Sequence, residues 1–252
     1  NRDAVLSAVA KASGIEITVI GGEEEARLIH QAVKQAVNLK SKVALLIDIG
    51  GGSLEVAFGR GRLPDFVASL PLGAGRLTHE FFPEDDAPKW DEVRALRRKV
   101  RHQLRDAAAR IRWEGPRSAV VTSRTFQQLG RLCGALPGRH GPFVERQLRR
   151  GDLGVAVERL AALPPAERAL LPGISAPRAR QSLAGAVVGH TAMKLTGLKT
   201  VTVCPWAIRE GVLLRHIEDG ASWWAEVDRL NETAALALPE QVTPLRIAAA
   251  PS

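Results

Sequence analysis

The spacing of hydrophobic positions changes along the chain, and each change marks an element. Residues 4–12 carry a helical pattern. From Ile15 to Ile20 the period drops to two, with Ile15, Ile17 and Val19 set against Glu16 and Thr18, which predicts a strand. Gly21-Gly22 turns the chain, and Glu23-Glu24-Glu25 opens a helix running to about Val37. Carboxylates in a first turn suit the positive end of the helix dipole. Val43 to Asp48 is apolar on both faces, as a strand inside a covered sheet should be. Gly50-Gly51-Gly52 interrupts it, and Leu54–Gly59 and Phe66–Leu72 read as two further strands. Their tight glycine connections predict a hairpin-rich sheet edge rather than strict alternation of strand and helix.

The second half is mainly helical. Between Glu92 and Arg112, Val93, Leu96, Val100, Leu104, Ala107 and Ile111 recur at three- and four-residue steps, giving an amphipathic helix. A short strand follows at Ser118–Val121, then a helix at Thr125–Cys133 and a loop over 135–142. Further helices are predicted at 144–162, 175–195 and 206–218, with a strand at Lys199–Cys204 stopped by Pro205. Trp223, Trp224, Val227 and Leu230 suggest one more helix before an Ala/Pro-rich tail. The whole predicts an α/β protein of one large or two small domains. No run approaches the roughly 20 apolar residues needed to cross a bilayer, so a membrane-spanning helix is excluded. Cys133 and Cys204 make neither a disulfide framework nor a metal-type spacing, and a cytoplasmic location is expected.

Charge alters this picture in one region. The net charge is +8, yet Arg94 to Arg150 holds fifteen Lys and Arg against three Asp and Glu, so the rest of the chain is net acidic. Such an excess favours a polyanionic partner. The plainer account is a solvated helix face, since Arg94, Arg97, Arg98, Arg101 and Arg105 lie largely on the wet side of the 92–112 helix. That helix lacks Tyr, Phe and Trp on which bases could stack and no nucleic-acid motif is present, which speaks against nucleic acid.

Three clusters could carry chemistry. Asp48-Ile49-Gly50-Gly51-Gly52-Ser53 places a carboxylate at the end of a buried strand, followed by glycines whose amides can approach an anion. Asp48 could hold Mg²⁺ or position a water, and Glu55 falls on the same strand face as Ser53. The alternative is a glycine hairpin with an Asp-capped turn. In Gly21-Gly22-Glu23-Glu24-Glu25, the carboxylates are either a solvated helix start or, at Glu25, a general base aimed into a cleft. Thr122-Ser123-Arg124-Thr125 is either an anion site at a helix start or an ordinary N-cap. His30, His79 and His190 lack ligand spacing and read as structural, Cys204 reads as a packed thiol, and Arg209-Glu210-Gly211 as an intrahelical pair with a packing glycine.

In this order the pieces resemble the Ppx/GppA (exopolyphosphatase / guanosine pentaphosphate phosphohydrolase) family. The resemblance rests on the run from Gly14 to Leu28, on Leu46–Ser53, on Ser69–Thr78, on Pro177-Arg178-Ala179 with Ala184-Gly185, and on Arg209-Glu210-Gly211. It implies the actin-like ATPase (ribonuclease H-like) fold, with a second lobe complete and a first lobe mostly missing. The implied divisions are 1–28 as the end of the first lobe, 29–220 as the second and 221–252 as a C-terminal helix and tail. The implied reaction is Mg²⁺-dependent hydrolysis releasing the terminal phosphate of inorganic polyphosphate or guanosine pentaphosphate. Glu25 matches the catalytic base, Asp48 the metal-associated acid, Gly50, Gly51, Gly52 and Ser53 the second phosphate loop, and Glu55 the acid closing it.

Two departures stand out. The first phosphate loop of the family, Asp-x-Gly-Ser-Asn, has no counterpart, so the chain alone is expected to hydrolyse polyphosphate poorly, and the apolar surface left bare would favour association as a homodimer. The Gly-Thr-x-Gly-Thr turn is replaced by Val121-Thr122-Ser123-Arg124-Thr125, where Arg124 loses close backbone approach but supplies a cation. A non-catalytic phosphate- or nucleotide-sensing protein on the same fold is the competing expectation.

Overall fold

Apolar side chains at every position from 44 to 47 leave a strand no wet side, and this strand sits well inside a sheet. The computed structural model describes residues 2–37, 44–84, 86–116, 118–141, 144–219 and 245–246. Its six-stranded sheet is built from β2 (Ala44–Ile49), β3 (Leu54–Gly59), β4 (Phe66–Leu70), β5 (Ser118–Thr122), β6 (Gln147–Arg149) and β7 (Thr200–Val203). The spatial order is β4-β3-β2-β5-β7-β6. β4, β3 and β2 form an antiparallel meander, β2, β5 and β7 run parallel, and β6 closes the edge antiparallel to β7. β1 (Thr18–Val19) pairs separately with β8 (Leu245–Arg246).

Alternation along the strands sends residues to two different layers. Leu45, Ile47, Ile49, Leu54, Val56 and Val121 enter the larger core. That core lies under α3 (Ala74–Phe81), α4 (Trp90–Glu114), α5 (Ser123–Leu132), α6 (Arg150–Ala161), α7 (Pro165–Arg168) and α8 (Ala176–Leu195). α8 runs through the middle of this layer, buried on every side from Ser182 to Gly189. Ala44, Leu46, Ala57 and Val120 point the other way, onto Ala26, Ile29 and Val33 of α2 (Gly22–Ala36). α9 (Ile208–Asp219) packs along α2, and α1 (Arg2–Ser13) precedes β1 with no buried residue.

Several boundaries differ from the sequence expectation. The strand expected over Ile15–Ile20 shrinks to two residues, Thr18 and Val19, paired among the described residues with the equally short β8. The helix expected at 144–162 begins only at Arg150, since Gln147–Arg149 is drawn onto the sheet edge with Leu148 buried between exposed neighbours. α3 and α7 went unread. α4 begins two residues before the expected Glu92, at Trp90, where Lys89 N–H donates to Glu92 at 2.8 Å, and stops at Gly115 with φ +60°. The expected division at 28/29 falls inside α2. Val43 and the helix expected through Trp223–Leu230 lie outside the described residues. No helix among those described is long and apolar enough to cross a membrane.

Candidate active site

The strand register collects the polar residues of the sheet into a single row. Ser69 is opposite Glu55, Glu55 opposite Asp48 and Asp48 opposite Thr122, across β4, β3, β2 and β5. All four therefore share the face covered by α2, at the end of the sheet where Gly50–Ser53 connects β2 to β3. Asp48 is buried and Glu55 fully so. The Ser69 hydroxyl donates to Glu55 Oε1 at 2.9 Å, while Glu55 Oε2 is buried without a hydrogen-bond partner.

α2 sorts its three glutamates. Glu23 pairs with Arg27 at the surface. Glu24 is buried, with Arg27 at 3.4 Å and Arg215 of α9 at 3.7 Å, so it fastens the two helices together. Glu25, half-buried, is directed at the carboxylate row. Burial, then the charge of Glu55, pushes its acid up to about 7. Asp48 is pushed up to about 8 by burial first and by Glu55 and Glu25 after it. Glu55 is raised chiefly by burial, with hydrogen bonds from Ser53 and Ser69 working against the rise. The charge of Glu55 thus reaches both Glu25 and Asp48, and that of Glu25 reaches Asp48, which places the three acids near one another.

The glycine loop is held from behind. Ala74 N–H donates to Gly50 O and Arg76 N–H to Gly51 O, both at 2.9 Å, and the Arg76 Nε donates to Gly52 O at 3.1 Å. The loop carbonyls are thereby committed, and the N–H groups of Gly51, Gly52 and Ser53 make no backbone hydrogen bond among the described residues. A Cβ on Gly51 or Gly52 would meet nothing within 4 Å, so this side of the loop is open. Gly73 is different: a Cβ there would lie 2.3–2.5 Å from the backbone of Gly51, Gly52 and Ser53. Gly22 has the same tightness, with Ser69 Oγ 2.2 Å from where its Cβ would be.

Beside this loop is the turn from β5 into α5. Thr122, expected among the phosphate ligands, is fully buried and its hydroxyl donates to Trp206 O. That hydroxyl serves the fold, tying β5 to the connection between β7 and α9. Ser123 adopts φ +89°, a conformation L-residues seldom take, at a cost of about 1–3 kcal/mol. Its Oγ accepts from Phe126 N–H at 3.3 Å. Arg124 is exposed, its Nη1 3.3 Å from Gln127 Oε1, and lines a groove of about 790 Å³ that also touches Arg131, Arg178, Trp206 and Glu210. The three acids do not line this groove; Asp48 is opposite Thr122, two residues before the Arg124 that does. Glu210 caps the α9 start by accepting from Ala207 N–H at 2.8 Å, rather than pairing with Arg209. Ser69, Gly22 and the 73–76 clasp were not singled out as site residues. The Ser69–Leu70-Pro71-Leu72-Gly73 run held the signal, but only the strand pairing gives it meaning.

Oxygen donors of this kind suit Mg²⁺, which keeps several waters and takes one or two carboxylates. Among the described residues no three acidic, His or Cys side chains converge as a metal cage. The buried, unpartnered Glu55 Oε2 and two acids whose ionisation a nearby cation would favour nevertheless make an oxygen donor set that fits a magnesium ion shared with water and an anionic ligand.

The residues match, over 1–219, the sequence pattern of the Ppx/GppA phosphatase family. The chain belongs to that family. It is 67% identical over 251 residues to an uncharacterized protein of Streptomyces coelicolor, covering 99% of this chain and 74% of that protein. It is 40% identical over 229 residues to exopolyphosphatase 1 of Mycobacterium tuberculosis, covering 90% of this chain and 66% of that protein, just under two thirds. The crystal structure of the Aquifex aeolicus Ppx/GppA family member superposes with a TM-score of 0.72 at 26% identity, over 86% of this chain and 69% of that one. An exopolyphosphatase from Cytophaga hutchinsonii gives 0.77 at 24% identity over 86% of this chain and 70% of that one, a likeness of fold. The Ppx/GppA chain described here thus has the actin-like ATPase fold.

Proposed function

We propose that the intact protein hydrolyses the terminal phosphoanhydride of inorganic polyphosphate, releasing orthophosphate. The observation that supports this is a set of three raised acids, two of them lifted in part by the charge of Glu55, beside an open, backward-clasped glycine loop. Glu25, with its acid near 7, is matched to accept a proton from an attacking water at neutral pH. The open amides at Gly51, Gly52 and Ser53 would receive phosphate oxygens and orient the terminal group. Asp48 and Glu55 would hold Mg²⁺, which supplies charge neutralisation at the phosphate when bound. The groove at Arg124 and Arg178 offers cations to the remainder of a linear anion. Mycobacterial relatives bear the name exopolyphosphatase 1, which favours polyphosphate over guanosine pentaphosphate.

The first test is Glu25→Gln in the intact protein, followed by phosphate release from polyphosphate with Mg²⁺ present. Turnover should fall roughly 10²–10⁴-fold while polyphosphate binding persists. Turnover within a few-fold of the parent sinks the proposal. A parent that binds tripolyphosphate but never turns it over would instead support the sensing role, to which Arg124 in the phosphate turn lends some weight.

A further inference from the structure

The carboxylate site leaves the basic excess of α4 unexplained. α4 and α8 pack side by side, and between them opens a pocket of about 270 Å³ lined by Arg97, Arg101 and Arg112 from α4 and by His190 and Lys194 from α8. Surface arginines usually pair with carboxylates, and others on α4 do: Arg94 with Asp91, Arg105 with Asp106 and Arg110 with Glu114. Arg97, Arg101, Arg112 and Lys194 make no ion pair among the described residues. Arg97 Nε is moreover buried with no hydrogen-bond partner, a charged donor already withdrawn from water. Leaving such a donor unmet is costly, and crowding like charges adds to the cost.

The imidazole of His190 senses the same field. Burial, then the charges of Arg97, Lys194, Arg150 and Arg101, hold it below its ordinary range, and no carboxylate opposes them. Gly154 of α6 makes room for the ring, since a Cβ there would lie 3.3 Å from His190 Nε2. Arg150 is fixed in place by its Nη1 donating to Leu198 O at 3.1 Å.

We infer that the α4–α8 pocket is an anion-binding site for a condensed inorganic phosphate, separate from the carboxylate site. Guanidinium forks from neighbouring turns match phosphate oxygens bidentately, which a lone surface lysine cannot do. The volume, against about 30 Å³ for a water, admits more than one phosphate group. The separation follows from α8 itself. Gly185 abuts Thr125 beside the 122–124 turn, and Lys194 lies nine residues farther on, about 14 Å along the helix at roughly 1.5 Å per residue. The inference does not depend on the hydrolase proposal, because occupancy of this pocket requires no turnover.

Tripolyphosphate titrated calorimetrically into the intact protein in EDTA tests it. The pair Arg97→Gln/Arg101→Gln should weaken one class of binding by roughly tenfold or more. The pair Arg98→Gln/Arg110→Gln, taken from the same helix outside the pocket, should stay within about twofold. Equal losses in both pairs would mean a diffuse field and overturn the site, as would no loss in either. A measurement on the unsubstituted protein guards against misfolding: tripolyphosphate should protect Arg97 and Arg101 from an arginine-specific dicarbonyl reagent, and absent protection overturns the inference equally.

Discussion

At the residue scale the controlling fact is that Asp48 cannot ionise cheaply. Its folded-state acid sits near 8, against an ordinary value of 3.8. The unfolded chain therefore loses this proton near pH 4 while the folded chain keeps it, and stability drains away as pH rises between those two values. Above pH 8 this loss levels off. Asp48→Asn removes the effect, so in metal-free buffer its melting temperature should exceed the parent's by a margin that opens between pH 5 and 8. A modest gain of about 1 kcal/mol corresponds to roughly 2–4 °C for a domain of this size. Thermal melts at pH 5, 6.5 and 8 check this, and a margin that stays constant contradicts the buried-acid account. The identity of the acids was readable beforehand from a carboxylate closing an apolar strand. Their mutual influence was not, because Glu25 is remote in sequence and reaches Asp48 only when α2 lies across the sheet.

At the element scale the glycine loop works because the segment behind it has no side chain to spare. Gly73 passes within 2.3–2.5 Å, measured to an imagined Cβ, of the loop backbone. Gly73→Ala must push Gly51–Ser53 out of place, at a cost of about 1–3 kcal/mol by the usual penalty for overpacking. The expected signature is a lower melting temperature together with weakened polyphosphate binding. An alanine variant that binds normally would show that the clasp does not set the loop. Helices announced themselves by period where a long face met the core, as in α4. α3 was missed because Pro71-Leu72-Gly73 dominates the local pattern, and β6 because three residues are too few to show alternation. Sheet-edge pairing with β7, a non-local event, decided that strand.

At the scale of the whole molecule, Glu25 rides on the layer of α2 and α9 whereas the glycine loop belongs to the sheet. Their relative position depends on how the two helices seat, through Glu24–Arg215 and through Gly211, whose imagined Cβ lies 2.2 Å from Leu28 O. Gly211→Ala should wedge α9 from α2, lowering kcat several-fold more than it raises KM. Equal change in both, measured by steady-state phosphate release, would place the effect on binding instead. The two faces of each central strand, the glycine break after Asp48 and the basic helix were determined by the sequence alone, since period and charge are local properties. Only the tertiary structure decided that Ser69, Glu55, Asp48 and Thr122 stand in one row, that Glu24 pairs with Arg215 while Glu25 lies near that row, and that α8 meets α4 to enclose unpaired cations. Strand register and helix seating are set by contacts between distant segments, and no window along the chain contains both partners.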